Sequence, residues 1–368
     1  MNLNCPDLMT QAARLTRAGD LKAATAVIQQ ALHRSVTADR QAATQGNVID
    51  VEAHEVIFQG FETSAEHAPA QQPVNEARPP SLFVDGSFTE KSGTRAYKLF
   101  IPPTTTTTND ALPLIVMLHG CTQNPDDFAA GTGMNELAGK RGFYVLYPEQ
   151  ARHANSSACW NWFKHNHQAR GQGEPAILAG MTRDVMSRYE IDPKCVYVAG
   201  LSAGGAMAAI LGDAYPDIFA AVGVHSGLPT GSATNMPAAL SVMKSGAATP
   251  AHIGSSPPTI VFHGDKDTTV HPINGVRVAE AIAGQTPSDS SRARSGNGRE
   301  FTRRIYRRPD GRVIAEHWIV HGAGHAWSGG SARGSHTDSG GPSASEEMLR
   351  FFFATSAGSS TQVLHAKA

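Results

Sequence analysis

Apolar residues recur along this chain with two spacings, and the change from one to the other lays out its organisation. Between residues 7 and 34, Leu8, Ala12 and Leu15, then Leu21, Ala24, Val27, Ile28, Ala31 and Leu32, return at three and four, which predicts helix interrupted at Gly19-Asp20. Residues 35–81 lose the pattern. They read as a polar linker rich in Gln, Ala, Thr and His, with a short strand expected near Val56-Ile57-Phe58 and Pro79-Pro80 near its end. From 82 to 356 the chain alternates strand and helix. Strands are expected at Gly86-Ser87-Phe88 and Arg95–Ile101, which look antiparallel, and then at Leu114–Leu118, Phe143–Pro148, Val196–Ala199, Phe219–His225 and Thr259–His263. Helices are expected at Met134–Arg141, Pro175–Tyr189, from Ala206, at Met236–Lys244, at Gly275–Ala283 and at Ala344–Thr355. Phe301–Arg308 and Arg312–Val320 flank Pro309-Asp310-Gly311, a hairpin signal. The Thr104–Thr108 run reads as loop, the Ser/Arg/Gly-rich 285–299 as a mobile excursion and 357–368 as a disordered tail.

Unbroken apolar runs such as Leu114-Ile115-Val116-Met117-Leu118 suit strands buried on both faces of a parallel sheet. The expected fold is therefore α/β: a doubly wound, mostly parallel sheet with helices on both faces, an antiparallel edge where the chain enters, and an N-terminal helical extension. That extension suits packing or oligomerisation better than catalysis.

Composition narrows the functions. The 368 residues are 40% hydrophobic and 17% charged, enough for a sizeable core. The formal net charge is −1, so no global field favours nucleic acid or an anionic membrane surface. The 16 histidines are scattered, and Cys5, Cys121, Cys159 and Cys195 match neither a zinc site nor a redox pair, so no metal or cofactor is expected. No apolar run is long enough to span a bilayer, and the first residues show no signal-peptide pattern. The default is a cytoplasmic protein with reduced thiols.

The chemistry centres on Gly200-Leu201-Ser202-Ala203-Gly204, which lies between an apolar strand and a small-residue helix. Strand, Gly-x-Ser-x-Gly turn and helix together form a nucleophile elbow, which exposes a hydroxyl at the top of an α/β-hydrolase sheet. A serine needs a base, and the base needs an orienting acid. The chain order serine, acid, histidine is met by Ser202, Asp267 and His325, the latter two on loops after strands. Asp265 and His321 are rivals. Asp267 lies further out over the sheet, and Gly322 and Gly324 give His325 room to swing while His321 ends a strand. The oxyanion hole should draw one N–H from Ala203, directly after the nucleophile. A second should come from Cys121, on the turn after the 114–118 strand.

Five ordered blocks carry a family resemblance. They are Leu118–Gln123, Cys159–Phe163, Gly200–Met207, His263–Val270 and Gly324–Gly330. They resemble the poly(3-hydroxybutyrate) depolymerase-type esterases, a group overlapping the feruloyl and acetylxylan carbohydrate esterases. The resemblance runs from about 82 to 355. It implies an α/β-hydrolase with Ser202, Asp267 and His325 as triad and the Cys121 N–H in the oxyanion hole, acting on esters without a cofactor. The N-terminal helices resemble an extension of some proteobacterial members, and the resemblance would allow an extracellular protein as the alternative to a cytoplasmic one. Trp160 and Trp162 sit in a loop expected to overhang the site, where they either hold an apolar ester chain or only anchor the loop. Cys121 and Cys159 lie in neighbouring blocks, and their pairing is a hypothesis set against the reduced-thiol default.

The expected function is thus a serine carboxylesterase acting on hydroxyalkanoate-type polyesters or oligoesters through an acyl-enzyme. The alternatives are a feruloyl or acetylxylan esterase, an acyltransferase, and a non-catalytic granule-binding protein on a hydrolase scaffold.

Overall fold

A computed structural model describes residues 81–103, 111–248, 256–284, 286–296 and 298–361. The predicted helices of 7–34, the linker strand, the Thr104–Thr108 loop and residues 362–368 lie outside these. Ten strands build one sheet: β1 (Leu82–Glu90), β2 (Gly93–Ile101), β3 (Leu112–Leu118), β4 (Tyr144–Pro148), β5 (Ile191–Leu201), β6 (Ala221–His225), β7 (Thr259–Gly264), β8 (Asp289–Arg294), β9 (Glu300–Arg307) and β10 (Val313–Val320). Their order is β1-β2-β4-β3-β5-β6-β7-β10-β9-β8. The run from β4 to β10 is parallel, and both flanks are antiparallel. A two-stranded parallel pair, β11 (Trp327–Ser328) and β12 (Thr337–Asp338), stands apart.

The unbroken apolar runs have a direct explanation. Along β3, Leu114, Val116 and Leu118 enter one core while Ile115 and Met117 enter the other. The strand period of two places successive side chains on opposite faces, and both faces are covered. One layer is formed by α3 (Gly173–Arg188), α4 (Ala203–Ala214) and α6 (Ile273–Ala283), which contribute Met181, Met207 and Val278. The opposite layer is formed by α1 (Pro125–Thr132), α2 (Met134–Arg141) and α7 (Ala344–Thr361), which contribute Phe128, Met134 and Phe352. Helix α5 (Met236–Ser245) follows β6. Each fully buried large apolar side chain contributes about 1.5–3 kcal/mol relative to exposure. Buried Glu316 joins β9, β10 and α7: it accepts from Arg303 and from Arg350, each at 2.6 Å.

Several elements depart from the sequence expectation. Helix α1 had no counterpart there. Its start is nonetheless well specified, with Asn124 accepting from the Asp127 N–H at 2.9 Å and proline in the first turn. Such a cap is worth about 1 kcal/mol, but eight residues with a weak apolar stripe do not announce a helix. The expected mobile excursion at 285–299 contains β8, which pairs with β9. Its residues Asp-Ser-Ser-Arg-Ala-Arg are all exposed and carry no apolar alternation, so pairing rather than burial defines it. Charges across the pair support it, because Arg292 and Arg294 both reach Glu300. The closing helix also runs past the expected Thr355, to Thr361.

Candidate active site

Ser202 lies where β5 turns into α4, with φ 58° and ψ −118°. A non-glycine residue there is strained, typically by about 1–3 kcal/mol, and must be held by its surroundings. The Ser202 N–H donates to His225 O at 2.8 Å, and Ser202 O accepts from the Ala206 N–H at 2.9 Å. The flanking glycines have a steric cause. A Cβ on Gly200 would lie 2.4 Å from the backbone of Gly204, and one on Gly204 would lie 2.1 Å from Leu118 O. Although Ser202 occupies the N-cap position, its hydroxyl makes no capping bond.

Asp267 and His325 come together on the loops after β7 and β10, with Asp267 Oδ2 2.7 Å from His325 Nδ1. The carboxyl is buried. The Thr269 and Val270 N–H groups donate to Oδ1 at 2.9 and 2.8 Å. Burial alone would raise its pKa, but hydrogen bonds from His263, His325 and Val270 outweigh it and hold the carboxyl well below the usual carboxylate range. The rivals are occupied with each other: Asp265 Oδ2 is 2.9 Å from His321 Nδ1, and His321 Nε2 is 2.9 Å from Thr302 Oγ1.

On the turn after β3, three of the four N–H groups of residues 120–123 are engaged. Gly120 donates to Gln123 Oε1 at 2.9 Å, Thr122 to Ser157 O at 2.8 Å and Gln123 to Gly120 O at 3.3 Å. That leaves the Cys121 N–H for another acceptor. The Ala203 N–H is likewise left over, as the first of a helix. Thr122 adopts φ 67°, a strained conformation beside this turn.

The turn is braced from several directions. His119 Nδ1 donates to Gly120 O at 2.7 Å, and its Nε2 accepts from the Gln150 N–H at 3.1 Å. Burial, partly offset by the bond to Gly120, pushes the His119 pKa down to about 4. Gln150 reaches buried Glu174, which also accepts from Asn161 through its backbone N–H and side chain, both at 2.7 Å. Gln123 donates to Asp127 Oδ2 at 2.8 Å, and Asp127 in turn accepts from Ser335.

Trp160 and Trp162 do not offer the aromatic surface set out as one of their two readings. Trp160 is 0% and Trp162 5% exposed, both inside the core. Trp160 spends its Nε1–H on His119 O at 3.1 Å, so it anchors the loop to the turn. Apolar rings in a polar loop gain more from burial than from display.

Cys121 and Cys159 form a disulfide, against the reduced-thiol default. It closes a separation of 38 residues, for which chain entropy gives about 4 kcal/mol of stabilisation. In denaturant, reduction is expected to raise the count of titratable thiols by two. The Cys121→Ser/Cys159→Ser double variant should unfold at lower urea by roughly that free energy. An unchanged thiol count would remove the bond.

Sequence reading missed His263, Gln123 and the Gln150–Glu174 pair. His263 stands four residues before Asp267 at a strand end, which was a usable signal. Gln123 meets Ser335 across 212 residues of chain, and no local pattern reports that.

A mostly parallel sheet with an elbow after its central strand and a paired acid and histidine beyond later strands defines an α/β-hydrolase fold. A family model described as esterase PHB depolymerase matches residues 95–299, and the chain belongs to that family. It is 34% identical to poly(3-hydroxyalkanoate) depolymerase C of Paucimonas lemoignei over 226 residues, 58% of this chain and 54% of that one. It is 32% identical to a poly(3-hydroxybutyrate) depolymerase of Ralstonia pickettii over 248 residues, 61% of this chain and 50% of that one. Acetylxylan esterase A of Talaromyces purpureogenus is 29% identical, covering 55% of this chain and 56% of its own. The chain thus spans about half the length of these relatives. Among solved structures, acetyl xylan esterase from Aspergillus awamori matches with TM-score 0.53 and 22% identity, covering 63% of this chain and 89% of that one. At that identity the likeness concerns the fold.

Proposed function

We propose that this chain is a serine carboxylesterase that cleaves hydroxyalkanoate-type polyesters or oligoesters through an acyl-enzyme. The observation that carries the reading is the elbow serine at positive φ together with an acid–histidine pair at 2.7 Å. Because Asp267 holds Nδ1 of His325, Nε2 is the nitrogen left to take the Ser202 proton. The alkoxide attacks the ester carbonyl, and the N–H groups of Cys121 and Ala203 receive the developing oxyanion. His325 then gives its proton to the leaving alcohol and activates water for deacylation, while Asp267 remains ionised and stabilises the imidazolium. The depolymerase relatives support a polyester substrate. The acetylxylan esterase relatives make acylated sugars the competing class. The disulfide supports an oxidising compartment, the alternative to the cytoplasm.

A fluorophosphonate probe followed by peptide mapping should place the label on Ser202. A panel of p-nitrophenyl butyrate, a 3-hydroxybutyrate oligoester, acetylated xylan and methyl ferulate should show the highest kcat/KM on the oligoester. Higher values on acetylated xylan or methyl ferulate would transfer the assignment to sugar esters. Folded protein without label or turnover would make the chain a binding protein on a hydrolase scaffold.

A further inference from the structure

His263, near the end of β7, is 1% exposed and four residues before Asp267. Its Nε2 lies 2.9 Å from Val270 O and 3.3 Å from Asp267 Oδ2. A carbonyl only accepts, so Nε2 carries a proton, and that proton faces both the loop backbone and the carboxylate. Oδ2 is therefore shared by two imidazoles, the deeply buried His263 and the less buried His325, while Oδ1 is held by the N–H groups of Thr269 and Val270. His325 is held by one atom of Asp267, so any rotation of that carboxyl moves the histidine.

The other side of the His263 ring offers it no hydrogen bond among the described residues. On its far side α6 presents Gly275, where a Cβ would lie 2.8 Å from His263 Nδ1 and 3.1 Å from His317 Nε2. Among the described residues, His263 Nδ1 and both nitrogens of His317 have no hydrogen-bond partner. Among the described residues the ring thus has hydrogen-bond partners only at Nε2.

We propose that His263 is a positioning residue for the esterase reaction: a second imidazole that fixes Asp267 Oδ2, and through it the ring of His325. This rests on the reading of Asp267 and His325 as acid and base. Removing the donor should impair chemistry rather than binding, because His263 is deeply buried.

The test compares His263→Gln with His263→Leu in the full chain. Gln can place an amide N–H near the position of Nε2, whereas Leu fills similar volume without a donor. The expected result is kcat lowered on the order of 10²-fold in the Leu variant, as for a small misplacement of a catalytic group. KM should stay within about twofold there, and the Gln variant should recover most of kcat. A purely packing role would favour Leu over Gln at this apolar depth. Equal losses in the two variants, or an unchanged kcat in the Leu variant, would overturn the proposal. If the Leu variant does not fold, Gly275→Ala decides, since its methyl would press on His263, 2.8 Å from Nδ1, and on His317, whose nitrogens make no bond to Asp267. A lowered kcat at constant KM supports the role, and an unchanged kcat overturns it. Ser202→Ala runs alongside. Turnover by Ser202→Ala overturns the reading of the site and the role of His263 with it, whereas failure of the His263 comparison with an inactive Ser202→Ala overturns the role alone.

Discussion

Ser202→Ala is expected to lower kcat by on the order of 10⁶-fold with little change in stability. Removing the nucleophile of a triad has an effect of that size, because the remaining members cannot act without it. What survives is rate enhancement by the oxyanion donors and by substrate binding, roughly 10³–10⁴-fold over water. The fold should be indifferent to the change. The hydroxyl makes no capping bond, and alanine keeps the Cβ that already tolerates φ 58°. The unfolding free energy should stay within about 0.5 kcal/mol of the parent. Turnover of p-nitrophenyl butyrate and thermal unfolding, measured on one preparation, check both halves. Activity within tenfold of the parent would refute nucleophilic catalysis by Ser202.

The second large effect is acid instability beginning well above the carboxylate range. His119, His225 and His317 are fully buried, and burial, the main cause in each, lowers their pKa values: to about 4 for His119, to about 3 for His317, and well below the usual value for His225. Hydrogen bonding agrees with neutral rings: His119 Nε2 and His225 Nε2 each accept a backbone N–H, from Gln150 and Ser328. The sign follows from proton counting. The unfolded chain protonates its histidines near pH 6.5 while the folded chain does not, so unfolding takes up protons and stability falls as pH drops below about 6.5. By pH 4, His119 and His317 each remove about 3 kcal/mol. Against a typical total of about 5–15 kcal/mol, that is a large fraction of the stability. Below pH 4 the buried Asp267, Glu174 and Glu316 add to the loss. In each, burial raises the pKa but hydrogen bonds or ion pairs lower it more, so their stabilisation is present above the unfolded carboxylate range and disappears as pH falls below it. Melting temperatures from pH 7 to 4 test the prediction. His317→Leu, which removes a titrating ring without a hydrogen bond to lose, should flatten the slope. A melting temperature constant across this range would mean that these histidines protonate in place.

Much of this architecture was legible because burial and periodicity coincide. Strands β3 to β7 are apolar on both faces, and a sequence can display that. The elbow was legible because its chemistry is local: the small residues, the serine and the helix start fall within a few positions. The meeting of Asp267 with His325 was legible through chain order and strand ends. Other features arise between distant segments. The exposed β8 is defined by pairing with β9, the bracing of the turn after β3 joins Gln123 to Ser335, and the burial of Trp160 follows from packing that no single segment contains. The tryptophan pair shows the general difficulty, since an aromatic residue in a polar loop looks the same in sequence whether it serves the ligand or the core.

The charged strand β8 also bears on how copies of this molecule meet. With a net charge of −1 and an isoelectric point near 7.0, little long-range repulsion separates them at neutral pH. Among the described residues, β8 is the last strand at one end of the sheet. There, an approaching strand would have to strip water from Arg292 and Arg294 and displace their bonds to Glu300. A strand with guanidinium groups engaged in this way is a poor template for edge-to-edge pairing.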